Sequence, residues 1–122
     1  MSNENRKYFH RDTNPAVLLA VVDQENLPLV LQPDGSAKFI VPDGKKTAKY
    51  QKLSYEQMKT GVGGLIEYVH FKHNKKQRHM IANEEGIIHG MPYNPLASKM
   101  VASAGYEGIV GPVIILPGSR KA

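Results

Sequence analysis

The 122-residue sequence contains no cysteine, which removes disulfides, thiolate zinc sites and thiol nucleophiles from consideration. That composition fits a reducing cytoplasm. Long apolar runs are missing too. The longest, Ala16 to Val22, falls far short of the roughly 20 residues that a membrane span needs. The opening Met1-Ser-Asn-Glu-Asn-Arg-Lys7 has no apolar stretch, so secretion is not expected. No Gly-Lys-Ser/Thr completes a phosphate loop, and no serine sits in Gly-x-Ser-x-Gly. Ser54, Ser98 and Ser103 each fall in a helix context that capping or exposure explains. The expectation is therefore a cytoplasmic protein that is not an enzyme, needs no cofactor and has no metal site.

What is present points to one domain. A chain of this length buries a real core without staples. The formal charge of +5 favours anionic partners, yet the basic residues are scattered, which is the pattern of a solvated surface. Residues 1–14 are polar and charged and read as a flexible arm, with a single domain over 15–118. Ala16-Val-Leu-Leu-Ala-Val-Val22 reads as a strand covered on both faces, because it is continuously apolar and rich in β-branched residues. Asp23–Asn26 reads as a turn, and Leu27–Leu31 and Lys38–Val41 as further strands. Pro28 confines its strand to an edge or to its first residues.

Ser54 and Gln57 form a capping-box pair that starts a short helix. Gly61 is expected to end it, and Gly63-Gly64 to turn the chain into a hairpin. That hairpin pairs Leu65–Lys72 with Arg78–Ala82 around a polar tip, His73–Gln77. Alternation places Leu65, Glu67, Val69 and Phe71 on one face. Ile87-Ile88 reads as a brief extended piece. Asn94-Pro95 starts the second helix, since Asn is a favoured cap and Pro loses no needed hydrogen bond at the first helical position. Gly108–Leu116 is the last strand, with Pro112 implying a bulge or an edge. The order βββ-α-ββ-α-β argues for an α+β domain with an antiparallel or mixed sheet and two short helices.

Gly63-Gly64-Leu-Ile-Glu67, Asn83-Glu-Glu-Gly86, Pro92-Tyr-Asn94 with Ala97, and Ile109-Val-Gly111-Pro-Val113 together resemble a family of small uncharacterised proteins, a domain of unknown function. The resemblance spans residues 53–116. It implies an accessory protein of bacteriophages, conjugative elements and some bacteria, working in the host cytoplasm, and it brings no catalytic residues to transfer. The resemblance implies an acidic residue directly before Ile-Val-Gly, where this chain has Gly108, with Glu107 one place earlier.

The candidate ligand contacts are Gly63, Gly64, Glu67, Tyr93, Asn94 and Lys99. The glycines permit close backbone approach to a flat ligand. Tyr93 and Asn94 stand at a helix start whose free N–H groups favour anions, and Lys99 lies one turn on. Three readings of Glu67 compete: a pocket carboxylate, an internal ion pair, or a residue in water at the sheet margin. The hairpin cations Lys72, Lys75, Lys76 and Arg78 are candidates for contact with an anion or a protein partner. His70 and His73, with His79 on the neighbouring strand, could assemble a metal site. A three-residue spacing, however, puts His70 and His73 on opposite faces, and the surrounding Lys72, Lys75, Lys76 and Arg78 repel a cation, so zinc is not expected. The functional expectation is a sponge that sequesters a small anionic, nucleotide-like immune signal, in a homo-oligomer. The alternatives are an antagonist of a host protein and, third, a nucleic-acid-binding accessory protein.

Overall fold

A computed structural model of the chain describes residues 6–118. The fold is α+β: a six-stranded antiparallel sheet with three helices. In chain order its elements are β1 (Arg6–Tyr8), α1 (Pro15–Glu25), β2 (Leu29–Leu31), β3 (Ser36–Phe39) and α2 (Tyr55–Val62). There follow β4 (Ile66–His73), β5 (Lys76–Asn83), α3 (Pro95–Val101) with a 3-10 turn at Ala102–Ala104, and β6 (Val113–Ile115). The strands lie in the order β1-β3-β2-β6-β5-β4.

The largest departure from the sequence reading is α1. Residues 16–22, expected as a strand, form a helix, and the expected turn at residues 23–26 is its last turn and C-cap. Asn14 accepts a hydrogen bond from the Ala16 N–H at 2.9 Å, Pro15 opens the helix, and Asn26 closes it in the left-handed region at φ 56°. These are the start and stop signals that identify the helix at Asn94-Pro95. The apolar run hides its own period because almost every position is apolar. Burial restores the period: Leu18, Leu19 and Val22 are buried, whereas Val17 is 54 % exposed.

The fold also reaches into the expected arm. Arg6–Tyr8 pairs with β3, and Phe9 belongs to the main core. Residues 1–5 of that arm lie outside the described residues. β2 and β6 are interior strands rather than edges, and Pro28 and Pro112 each sit just ahead of them, where no ladder hydrogen bond is lost. The hairpin is tighter than expected. Asn74 and Lys75, at φ 53° and 66°, make a two-residue turn of the mirror-image type whose twist matches the strands. Ile87-Ile88 is not extended but lies in a run of turns, 80 % and 79 % exposed.

Strand alternation sorts the core into two layers. On one face Leu29, Leu31, Phe39, Val69, Phe71, Met80, Val113 and Ile115 pack with α1 and α3. On the other, Met58 and Val62 of α2 pack with Ile81, Ile114 and Leu116. Gly61 does not end α2. It lies inside the helix, where an added Cβ would sit 2.7 Å from Ile114 Cδ1, so its lack of a side chain sets the helix against the sheet. Gly63, at φ 80°, is the left-handed cap instead. The capping box forms as expected, and Gln57 also donates to the Val41 carbonyl at 2.9 Å, tying the preceding loop to the helix.

Successive pairings carry one row of side chains across the α2 face: Arg6, Lys38, Val30, Ile114, Ile81, Tyr68. The helix α2 packs over β6, β5 and β4. It therefore covers the apolar end of that row and leaves the charged end as the wall of a groove. Among the described residues no helix is long and apolar enough to cross a membrane.

Candidate functional site

The residues that carried the family resemblance converge, but on one another. Asn83 donates from Nδ2 to the Val62 carbonyl at 3.0 Å and accepts the Glu85 N–H at 2.8 Å. A Cβ on Gly64 would meet that same amide at 3.0 Å, one on Gly63 would meet Met91 at 3.6 Å, and one on Gly111 would meet Met91 Sδ at 2.6 Å. Asn94 is 1 % exposed. It caps α3 through the Ala97 N–H at 3.2 Å and donates to the carbonyls of Gly111 at 3.0 Å and Leu31 at 3.2 Å. These joints leave Asn94 no capacity for an anion, and α3 has only seven residues. The Asn94 assignment is corrected: it is a structural amide.

The other sequence candidates scatter. Glu67 is exposed at the start of the edge strand β4, opposite Ala82, which is the water-at-the-margin reading. Tyr93 is exposed against Gly108, and Lys99 donates to the Arg11 carbonyl at 2.9 Å. Lys72, Lys75 and Lys76 are exposed on the hairpin. Arg78 is not. It is 5 % exposed and holds Asp23 in a two-point ion pair, so it is withdrawn from the list of surface cations. Ser98 is neither a cap nor exposed, contrary to the sequence expectation: it is buried within α3, its hydroxyl accepting the Ile109 N–H at 2.8 Å.

Three concavities are candidates for a ligand. A small one of about 240 Å³ lies beside Pro33–Gly35 and Asn94–Leu96. One of about 570 Å³ lies between α1 and the hairpin tip, lined by Asp23, His73, Lys76 and Arg78. Arg78 Nη1 and Nη2 are held by the Asp23 carboxylate there, while its buried Nε has no hydrogen-bond partner among the described residues. The Arg78 guanidinium holds the Asp23 carboxyl below its usual range, against a smaller opposing effect of burial.

The largest, about 710 Å³, is the groove between α2 and the outer sheet. Its floor is Val30 and Ile40, its helix wall carries Glu56 and Thr60, and its outer wall carries Arg6 and Lys38. Arg6 and Lys38 are direct cross-strand partners. Like charges placed so are mutually repulsive. Asp34 stands near Arg6, but its carboxyl is committed to the Ser36 N–H at 2.9 Å and the Ser36 hydroxyl at 2.7 Å, which hold it below its usual range. Sequence reasoning missed this site because its two cations lie 32 positions apart in the chain and meet only through strand pairing. Alternation around Lys38 was the one signal available: Ala37 and Phe39 face the core, so Lys38 faces away from it. Among the described residues no three His, Cys, Asp or Glu side chains gather closely enough to hold a metal ion.

A family model described as a domain of unknown function (DUF3846) matches residues 37–121. The match extends the resemblance at both ends of residues 53–116. No curated protein matches the chain, and no solved structure does.

Proposed function

The chain belongs to the DUF3846 family, a domain of unknown function, and we propose that it binds a small anionic ligand with a flat apolar portion in the α2 groove, without transforming it. The observation that carries this reading is the Arg6–Lys38 pair on the wall of a concavity with an apolar floor. An anionic group between the two cations offsets their repulsion. The volume lies within the range of small-molecule sites, which combine apolar lining with a few oriented polar groups. A nucleotide meets both demands: its phosphate suits Arg6 and Lys38, and its base suits Val30 and Ile40. Glu56 and Thr60 then supply hydrogen-bond acceptors for amino or hydroxyl groups.

In a protein of a phage or other mobile element, such binding serves as a sponge for a nucleotide signal of host defence. Calorimetry and thermal shift with cyclic dinucleotides and ADP-ribose derivatives test it. At least one should bind, be recovered chemically unchanged, and bind about tenfold or more weakly to Lys38→Ala, since one hydrogen bond to a charged group is worth about 1.5–3 kcal/mol. A folded protein that binds none of them, or that consumes one, overturns the reading. Native mass spectrometry of the complex reports whether the binding unit is an oligomer.

A second reading, antagonism of a host protein, is favoured by one surface. The long edge strand β4 begins beside exposed Leu65, and Ile87 and Ile88 protrude from the turns that follow β5. Edge strands recruit partner strands unless they are guarded. An Ile87→Asp, Ile88→Asp double variant that still captures the same stoichiometric host partner would remove this reading.

A further inference from the structure

The pair His70 and His79 lies outside the groove and belongs to none of the roles above. The two are direct partners on β4 and β5, and their Nδ1 atoms stand 2.8 Å apart with ring planes at 85°. Antiparallel pairing puts the two Cβ atoms of such partners within about 4.5–5.5 Å, on one face of the sheet. At that separation one Nδ1 carries a proton and the other presents its lone pair to it. Two ring nitrogens are thus already aimed at a common point, held by a two-residue turn four positions away that fixes the register.

We propose that His70 and His79 form a two-imidazole site for a borderline transition-metal ion of the Cu2+, Ni2+ or Zn2+ class, on the hairpin face that carries α2. The ion takes the place of the shared proton. The donating ring changes tautomer, its Nδ1 proton moving by way of solvent to its own Nε2, so both Nδ1 lone pairs become ligands of neutral imidazoles and no redox change is involved. Metal–nitrogen bonds of about 2.0–2.1 Å at an angle near 90–110° put the two nitrogens roughly 2.9–3.4 Å apart. The rings therefore need to spread by only a few tenths of an ångström.

The surroundings select the class of ion. Lys72 shares this face and stands opposite Gln77, while Tyr68 stands opposite Ile81 on the other side. A neighbouring ammonium, and no carboxylate at the flanking positions Tyr68, Ile81, Lys72 and Gln77, disfavour ions held by charge alone, such as Mg2+ and Ca2+, which require oxygen ligands. Imidazole favours ions bound through nitrogen lone pairs, with Cu2+ tightest in the usual order. Two protein ligands leave coordination positions for water or an external donor, as an open site does. The His70–His73 spacing is irrelevant to this site. The ligands come from two strands, and the pairing of His70 with His79, not the spacing along β4, defines the site.

The test is calorimetric titration of the untagged, metal-free full chain with Cu2+, Ni2+, Zn2+ and Mg2+. One ion should bind per chain, in the affinity order Cu2+ above Zn2+, with Mg2+ silent. His70→Gln and His79→Gln should each weaken binding by about tenfold or more, no less than the loss of a ligand's own hydrogen-bond partner costs. His73→Gln and His89→Gln should leave it within about twofold, well below that loss. A readout free of variants accompanies this: Zn2+ should shift or broaden the His70 and His79 ring signals of the parent chain selectively. Binding that survives either substitution, binding of no ion, or equal perturbation of all five histidines overturns the proposal.

Discussion

Arg78 grips Asp23 at two points across 55 residues of sequence, Nη1 to Oδ2 at 2.9 Å and Nη2 to Oδ1 at 2.7 Å. The same carboxylate accepts the Gly118 N–H at 2.9 Å, and Arg78 also donates to the Leu116 carbonyl at 3.3 Å. One ion pair thus ties α1, β5 and the segment after β6 together. Removing the acid strands a buried guanidinium, whereas removing the arginine leaves a half-exposed carboxylate that water can reach. Asp23→Ala should therefore cost about 2–3 kcal/mol, and Arg78→Met distinctly less. Urea denaturation of both variants checks the order; equal losses would contradict it.

The same pair sets a pH dependence. The Arg78 hydrogen bonds lower the Asp23 carboxyl below its ordinary value of 3.8. A group with a depressed folded value contributes stability above its unfolded value, and that contribution disappears as pH falls through the folded one. The parent should lose urea resistance on acidification below 3.8 by more than Asp23→Asn does. Unfolding midpoints measured between pH 6 and strongly acidic buffer decide this, and parallel curves would count against it.

Gly61 and Ile114 should be energetically coupled. A methyl on Gly61 enters the space of Ile114 Cδ1, so the helix-propensity gain of about 1 kcal/mol expected for Gly61→Ala is offset by crowding. Shortening the neighbour with Ile114→Val makes room for that methyl. A double-mutant cycle should return a favourable coupling of about 0.5–1.5 kcal/mol, and a value within error of zero would show that the helix stands off the sheet.

Asn94 separates scaffold from site. Asn94→Ala deletes a helix cap and leaves two carbonyls without their donor, at a cost of about 2–4 kcal/mol. Tyr93→Ala and Glu67→Gln, both at exposed positions, should stay within about 0.5 kcal/mol of the parent. Thermal unfolding of the three variants checks this; a mild Asn94→Ala would mean that its amide is not holding β2 to the turn at Gly111.

The parts of the fold legible in the sequence are those written by neighbours in the chain. The Ser54–Gln57 box, the Asn94-Pro95 start and the alternation of Val69 with Phe71 each involve residues a few positions apart, and each stands as read. The α+β class followed from their order. Asn14-Pro15 carried the same helix signal as Asn94-Pro95, but the β-branched run behind it outweighed that signal, because a fully apolar stretch has no visible period. What the sequence did not show is what pairing across the sheet creates. Lys38 meets Arg6 only once strand register is fixed, and His79, legible on the strand beside His70, becomes its direct partner only then. Arg78 read as a surface cation because its hairpin is basic, although its position alternates into the core with Met80 and Ala82.

The most direct test of the groove is chemical-shift mapping of the labelled protein during titration with ADP-ribose and a cyclic dinucleotide. The account predicts that a binding ligand moves the amides of Val30, Lys38, Ile40 and Thr60 most. Shifts centred instead on Gly63, Gly64 and Tyr93, or on the Lys72–Lys76 hairpin, would contradict it.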